Sequence, residues 1–131
     1  MANKIPPTAP PTAQEGAGAA QEPPPGSEER IPAMQQLLDN LHVEQIDTNL
    51  FRGFTLPSRN PRIYGGQVLA QAMNAATRSV DPARHVHSQH AYFLRPGDPA
   101  RAVIYEVDPI RDGRAFSTRR VVARQGGRAI F

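Results

Sequence analysis

Hydrophobic spacing divides the chain into a featureless start, two helices and a run of strands. Before Arg30 almost no large apolar residue occurs, and Ile5 stands alone. From Ile31 to Leu41, the residues Ile31, Met34, Leu37, Leu38 and Leu41 recur at three-to-four spacing. That spacing predicts a short amphipathic helix, with Pro32 in the first turn, where a missing N–H breaks no bond. Val43 to Gly53 loosens into extended chain, and Pro57, Asn60 and Pro61 then mark a loop. A second helix is predicted from Gln67 to Ser79, closed by Asp81-Pro82. Val68, Leu69, Ala72, Met73, Ala75 and Ala76 cover most of its circumference. Such a helix is buried, and its small side chains let neighbours come close. A curved sheet is the expected cover.

The remainder alternates. His85 to Arg95 places Val86, Ser88, His90, Tyr92 and Leu94 on one face and His87, Gln89, Ala91 and Phe93 on the other. Pro96-Gly97-Asp98 suits a turn with proline second and glycine third. Ala102 to Asp108 reads as a strand with Val103, Tyr105 and Val107 sharing a face. Asp112-Gly113 signals a two-residue hairpin, Ala115 to Arg124 a third strand, and Gly126-Gly127 a further hairpin. Arg128 to Phe131 begins a fourth strand that is shorter than usual, so the chain reads as truncated. The expected class is α+β: an antiparallel sheet wrapped around a central apolar helix, the hotdog arrangement, with its last strand cut short.

Composition sharpens the boundaries. Seven of the 14 prolines fall within residues 1–30, among Ala, Thr, Gln, Glu and Gly. That stretch cannot bury enough apolar surface to offset its ordering entropy, so 1–30 is expected to be a disordered tail and 31–131 the folded part. The tail lacks the apolar core of a secretory signal, and Glu15, Glu22, Glu28 and Glu29 argue against a mitochondrial presequence. No window approaches a membrane span, and there is no cysteine for disulfides, thiolate metal sites or a Cys nucleophile. The cytoplasm is the expected compartment.

Net charge is +3, carried by 14 arginines and a single lysine. Seven arginines follow from Arg101 onward, against Glu106, Asp108 and Asp112. A basic face suits an anionic ligand, whether nucleic acid, a membrane surface or a nucleotide-bearing metabolite. Arginines on the wet face of a strand pair explain the same count more simply. Charge by itself decides nothing.

Candidate chemistry is sparse. His85-Val-His87-Ser-Gln-His90 resembles the HxHxDH signature of binuclear metallohydrolases, but Gln89 occupies the carboxylate's position. Histidines packed in a strand account for the run better, and no metal is expected. Tyr64-Gly65-Gly66-Gln67 opens a helix, whose free N–H groups attract an anion or a polarised carbonyl. A tight loop needing positive φ is the plainer alternative. It is neither a dinucleotide-binding nor a P-loop motif. Ser88 and Ser117 lie in predicted strands rather than on a strained elbow, which disfavours a serine hydrolase.

Several separated blocks together resemble one family. They are Leu50-Phe51-Arg52-Gly53, Tyr64-Gly65-Gly66-Gln67-Val68 with Ala70-Gln71-Ala72, and Val86-His87-Ser88 through His90-Ala-Tyr92-Phe93-Leu94-Arg95-Pro96-Gly97-Asp98. Ile104-Tyr105-Glu106-Val107 and Arg111-Asp112-Gly113 through Phe116-Ser117-Thr118-Arg119-Arg120-Val121 complete the set. Their order and spacing are similar to the N-terminal repeat of bacterial type II acyl-CoA thioesterases, from about Met34 to Phe131.

The resemblance implies a double-hotdog enzyme about twice this length that hydrolyses fatty acyl-CoA to free fatty acid and CoA, without a cofactor. It implies that an Asp, a Thr or Ser, and a Gln of the C-terminal repeat orient the hydrolytic water, so this half is expected to be inactive alone. His87 matches a family histidine and is a weak catalytic candidate. Substrate contacts are expected at Gly65, Gly66, Gln67, Tyr92, Arg95, Arg111 and Arg119. The glycine turn and Gln67 would supply donors to the thioester oxygen, and the late arginines would meet the CoA phosphates. The expected partners are acyl-CoA and a second hotdog repeat or a second copy, with no nucleic acid. A non-enzymatic hotdog remnant that binds acyl-CoA or a partner chain is the alternative. A hydratase would need a His and a carboxylate paired by spacing, which this chain does not offer.

Overall fold

Helix α2 (Gly65–Thr77) is the centre around which the other elements are arranged. The computed structural model describes residues 27–131, so the expected tail lies, up to Gly26, outside the described residues. The order is α1 (Ser27–Leu41), β1 (Glu44–Asp47), β2 (Leu50–Gly53), α2, β3 (Val103–Asp112), β4 (Ser117–Gln125) and β5 (Arg128–Ala129). The five strands form one sheet in sequence order, every neighbouring pair antiparallel. Helix and meander together make the α+β arrangement that the spacing predicts.

Alternation along the strands explains why the sheet closes on α2. Val103, Tyr105 and Val107 of β3 are buried, and they pair across the sheet with Gly53, Phe51, Ala123 and Val121. From the helix, Val68, Ala72 and Ala75 meet this face. Val43, Ile63 and Ile130 close its margins. The opposite face is charged and paired: Arg52 to Glu44, Arg120 to Asp108 and Arg124 to Glu106, all at 2.6–2.7 Å. Arg120 and Arg124 of the basic last third therefore lie on the wet face of a strand pair, each matched by an acid.

One buried position breaks the apolar rule. Gln71 is fully buried, and its amide satisfies three groups at once. Its Nε2 donates to the Asn40 and Phe54 carbonyls, while its Oε1 accepts from the Tyr105 hydroxyl at 2.7 Å. Helix α2 is thereby tied to the end of α1, to the end of β2 and to the middle of β3. Burial of the Tyr105 phenol pushes its pKa well up.

Several local expectations differ from the structure. Helix α1 begins at Ser27 rather than Ile31, and Met34, Leu37 and Leu38 of its apolar face are exposed. The extended stretch after Val43 is a hairpin, turned through Asn49 with φ of 57°. The strand expected over His85 to Arg95 does not form. Alternation makes a strand only beside a neighbour, and here only the Leu94 and Arg95 amides find one, both at the Ile130 carbonyl. Asp112-Gly113 is not a two-residue turn: β4 starts at Ser117, and the Gly113 amide closes on the Phe116 carbonyl. Gly126-Gly127, with φ of 54° and 77°, is the tight hairpin that its glycines predict. Gly97 serves close approach rather than a turn, since a Cβ there would lie 2.8 Å from Ile63. Among the described residues no helix is long and apolar enough to cross a membrane.

Candidate functional site

A cleft opens at the N-terminal end of α2. Its volume is about 370 Å³, and Ile63, Val68, Phe93, Leu94, Pro96 and Ile130 give it an apolar lining. Gly65 and the cations Arg62 and Arg95 stand at its rim. The Arg95 guanidinium is braced by the Ala129 carbonyl at 2.8 Å. Among the described residues no carboxylate or imidazole lines this cleft.

Local geometry explains the two glycines. Tyr64 occupies the cap position, and its carbonyl accepts from Gln67 and Val68. No side chain caps the helix, and no acidic residue lies in the first turn. Among the described residues the Gly65 and Gly66 amides have no acceptor. Two donors and the positive end of the helix dipole therefore remain available to an anion or a polarised oxygen. A Cβ on Gly65 would lie 3.0 Å from the Phe93 ring, and one on Gly66 would lie 2.4 Å from the Tyr64 ring. Neither glycine has positive φ, so close aromatic packing, not a left-handed turn, explains them.

The other residues singled out by sequence are dispersed. Both Gln67 amide protons are directed to the loop, at the Phe54 carbonyl and the Thr55 hydroxyl. Tyr92 is exposed and does not line the cleft. His87 is exposed and sits edge-on to Phe116, with ring centroids 5.5 Å apart. Arg111 is exposed at the bulged end of β3. Arg119 is nearly buried: it donates to the Ser79 hydroxyl and carbonyl and to Asp112, all at 2.8 Å. There its charge stands against the carbonyl end that follows α2. The Arg119 and Ser117 side chains hold the Asp112 carboxyl below its ordinary pKa.

Of the sequence candidates, Gly65 and Arg95 meet at the cleft, with Gly66 adjoining in the same helical turn. Sequence reading missed Arg62 and Phe93. Arg62 had a readable signal, a cation two residues ahead of the helix cap. Phe93 had none, because only the packing on Gly65 distinguishes it from its neighbours.

A sheet curled over one apolar helix, with a cleft at that helix's uncapped start, defines a hotdog-fold domain. Comparison with known proteins makes the class specific. Residues 56–131 match the family model described as the acyl-CoA thioesterase N-terminal domain. Mouse acyl-coenzyme A thioesterase 8 is 47% identical over 93 residues, covering 70% of this chain and 29% of its own length. Acyl-CoA thioesterase 2 of Haemophilus influenzae is 42% identical, with 70% and 32% covered. Among solved structures, the tesB protein of Mycobacterium avium subsp. paratuberculosis superposes with a TM-score of 0.70 at 42% identity. That match covers 73% of this chain and 39% of the other. The acyl-CoA thioesterase II TesB2 of Mycobacterium marinum gives 0.65 at 41%, with 72% and 34% covered. The chain belongs to the acyl-CoA thioesterase family, in its N-terminal domain. It spans about a third of the length of the curated relatives it matches.

Proposed function

We propose that this chain supplies the first hotdog repeat, residues 31–131, of an enzyme that hydrolyses fatty acyl-CoA to free fatty acid and CoA. The observation that carries the reading furthest is the cleft at the start of α2. It joins free amides at Gly65 and Gly66 to an apolar lining and two rim arginines. Acyl-CoA asks for those three things: donors at the thioester oxygen, a dry channel for the chain and cations for its phosphates.

The cleft contributes binding and polarisation. Water activation requires a base or a set of orienting polar groups, and among the described residues Arg62 and Arg95 are the cleft's only charged ones. A second hotdog repeat would bring those groups, so this half alone binds substrate and turns it over little or not at all. The uncovered apolar residues Met34, Leu37 and Leu38 support pairing with such a repeat or with a second copy. His87 remains a weak catalytic candidate, because its ring rests on Phe116 outside the cleft. Work in the cytoplasm, as a part of fatty-acid metabolism, belongs to the same proposal.

The test is calorimetric binding of a medium-chain acyl-CoA, followed by hydrolysis assays with a thiol-reactive dye. Arg62→Gln and Arg95→Gln should each weaken binding by about 5- to 10-fold, while Arg124→Gln, on the far face of the sheet, should not. Turnover should appear on addition of a second repeat. Equal affinity in all three variants would refute the cleft as the binding site.

A further inference from the structure

Two segments frame the cleft, and each brings a cation to its rim and a buried residue to its floor. In one, Arg62 is exposed and the next residue, Ile63, is buried. In the other, Arg95 is exposed and Gly97 is buried. The Ile63 amide donates to the Gly97 carbonyl at 2.9 Å, which holds the two backbones against each other. Val68 and Ile130, both buried, complete the floor.

At one point this floor is filled to contact. A Cβ on Gly97 would lie 2.8 Å from Ile63 Cδ1, and 3.2 Å from both Ile63 Cγ1 and Ile130 Cδ1. Gly97 does not have positive φ, so the position requires a missing side chain rather than a left-handed turn. The Ile63 side chain occupies the space that a side chain at position 97 would take. Carbon atoms settle about 3.5–4.0 Å apart, so a methyl there would drive Ile63 Cδ1 back by about 1 Å. The Ile63 backbone is pinned by its bond to Gly97, and packed interiors offer little other free space. The displaced methyl therefore moves into the cleft that Ile63 lines.

We infer that Ile63, seated on Gly97, is the stop of the acyl pocket, so that positions 63 and 97 together set the longest acyl chain the cleft admits. This role rests on the reading of the cleft as an acyl-CoA site. The orientation follows from polarity: the phosphates stay at the rim arginines, and the end of the hydrocarbon goes to the buried aliphatic floor. Each methylene that leaves water on the way to the floor raises affinity about 4-fold. A methylene that would have to pass Ile63 adds nothing.

The test is calorimetric binding of acyl-CoAs from butyryl to palmitoyl, in single-carbon steps, to the parent chain and three variants. Affinity in the parent should climb about 4-fold per carbon and then level off. In Gly97→Ala the levelling should come about one carbon earlier, and the longest chain that fits the parent should bind about 4-fold more weakly. Ile63→Val removes Cδ1 itself, so levelling should come about one carbon later. The double variant lacks the clashing methyl and should return to the parental length, a rescue that general loss of stability would not produce. Should Gly97→Ala fail to fold, the shift in Ile63→Val decides alone. Levelling at one common length in all the proteins overturns the inference and leaves the acyl-CoA reading standing. Affinity that ignores chain length yet falls in Arg62→Gln has the same two consequences. If the parent binds no acyl-CoA at all, the acyl-CoA reading fails and the inference falls with it.

Discussion

The Tyr105 hydroxyl donates to Gln71 Oε1 at 2.7 Å, and neither side chain is exposed to solvent. The same Gln71 holds the Asn40 and Phe54 carbonyls through Nε2. A fully satisfied buried amide is inexpensive, but a half-satisfied one is not. Gln71→Leu strands the phenol and the Asn40 carbonyl, and should lower unfolding stability by about 2–4 kcal/mol. Tyr105→Phe frees one acceptor and should cost about 1–2 kcal/mol. The double variant should lose clearly less than the sum, because the phenol is then no longer left unpaired and only the Asn40 carbonyl is. Urea titration of the four proteins measures the cycle.

Glycines that look alike in sequence should respond differently. A Cβ at Gly53 would lie 2.5 Å from Gln71 Oε1 and 3.0 Å from the Tyr105 ring, both immobile in the core. Gly53→Ala should destabilise by about 1–3 kcal/mol. At Gly66 the obstruction is the Tyr64 ring, which is 75% exposed and can swing into solvent. Gly66→Ala should stay within about 0.5 kcal/mol of the parent. Thermal melts of both variants decide the point.

Neighbouring arginines on β4 should also separate. Arg119 is nearly buried and holds Ser79 and Asp112, so Arg119→Ala should cost about 1–3 kcal/mol. Arg120 forms an exposed pair with Asp108, and Arg120→Ala should cost about 0.5 kcal/mol or less. Added salt should shrink the second effect more than the first.

The contact to Arg119 gives a pH dependence with a definite sign. Its hydrogen bond, and then that of Ser117, lowers the Asp112 pKa from 3.8. A lowered folded-state pKa means that the ionised carboxylate contributes stability above 3.8 and loses it as pH falls through the folded value. Asp112→Asn should therefore be less stable than the parent near neutral pH, and the two should converge in acid below that window. A constant difference across the acid range would show that the carboxylate's charge is not involved.

What the sequence determined by itself is local and periodic. The small apolar stripe of α2, the alternation of Val103, Tyr105 and Val107, and the Gly126-Gly127 hairpin are short-range patterns with one physical solution each. The family resemblance rests on the same local blocks. Only tertiary structure decided the rest. His85 to Arg95 has the alternation of a strand but is not one, because pairing depends on a neighbour that no residue in the segment encodes. Gln71 looks like one more polar helix position until Tyr105, Asn40 and Phe54 converge on it from three other elements. Arg119 and Arg120 are adjacent and chemically identical, yet alternation sends one toward Ser79 and the other to solvent. The cleft has the same origin. Arg62, Gly65 and Arg95 come together because the Ile63 amide bonds to Gly97 and Ile130 lies beneath both segments, contacts that sequence spacing does not contain.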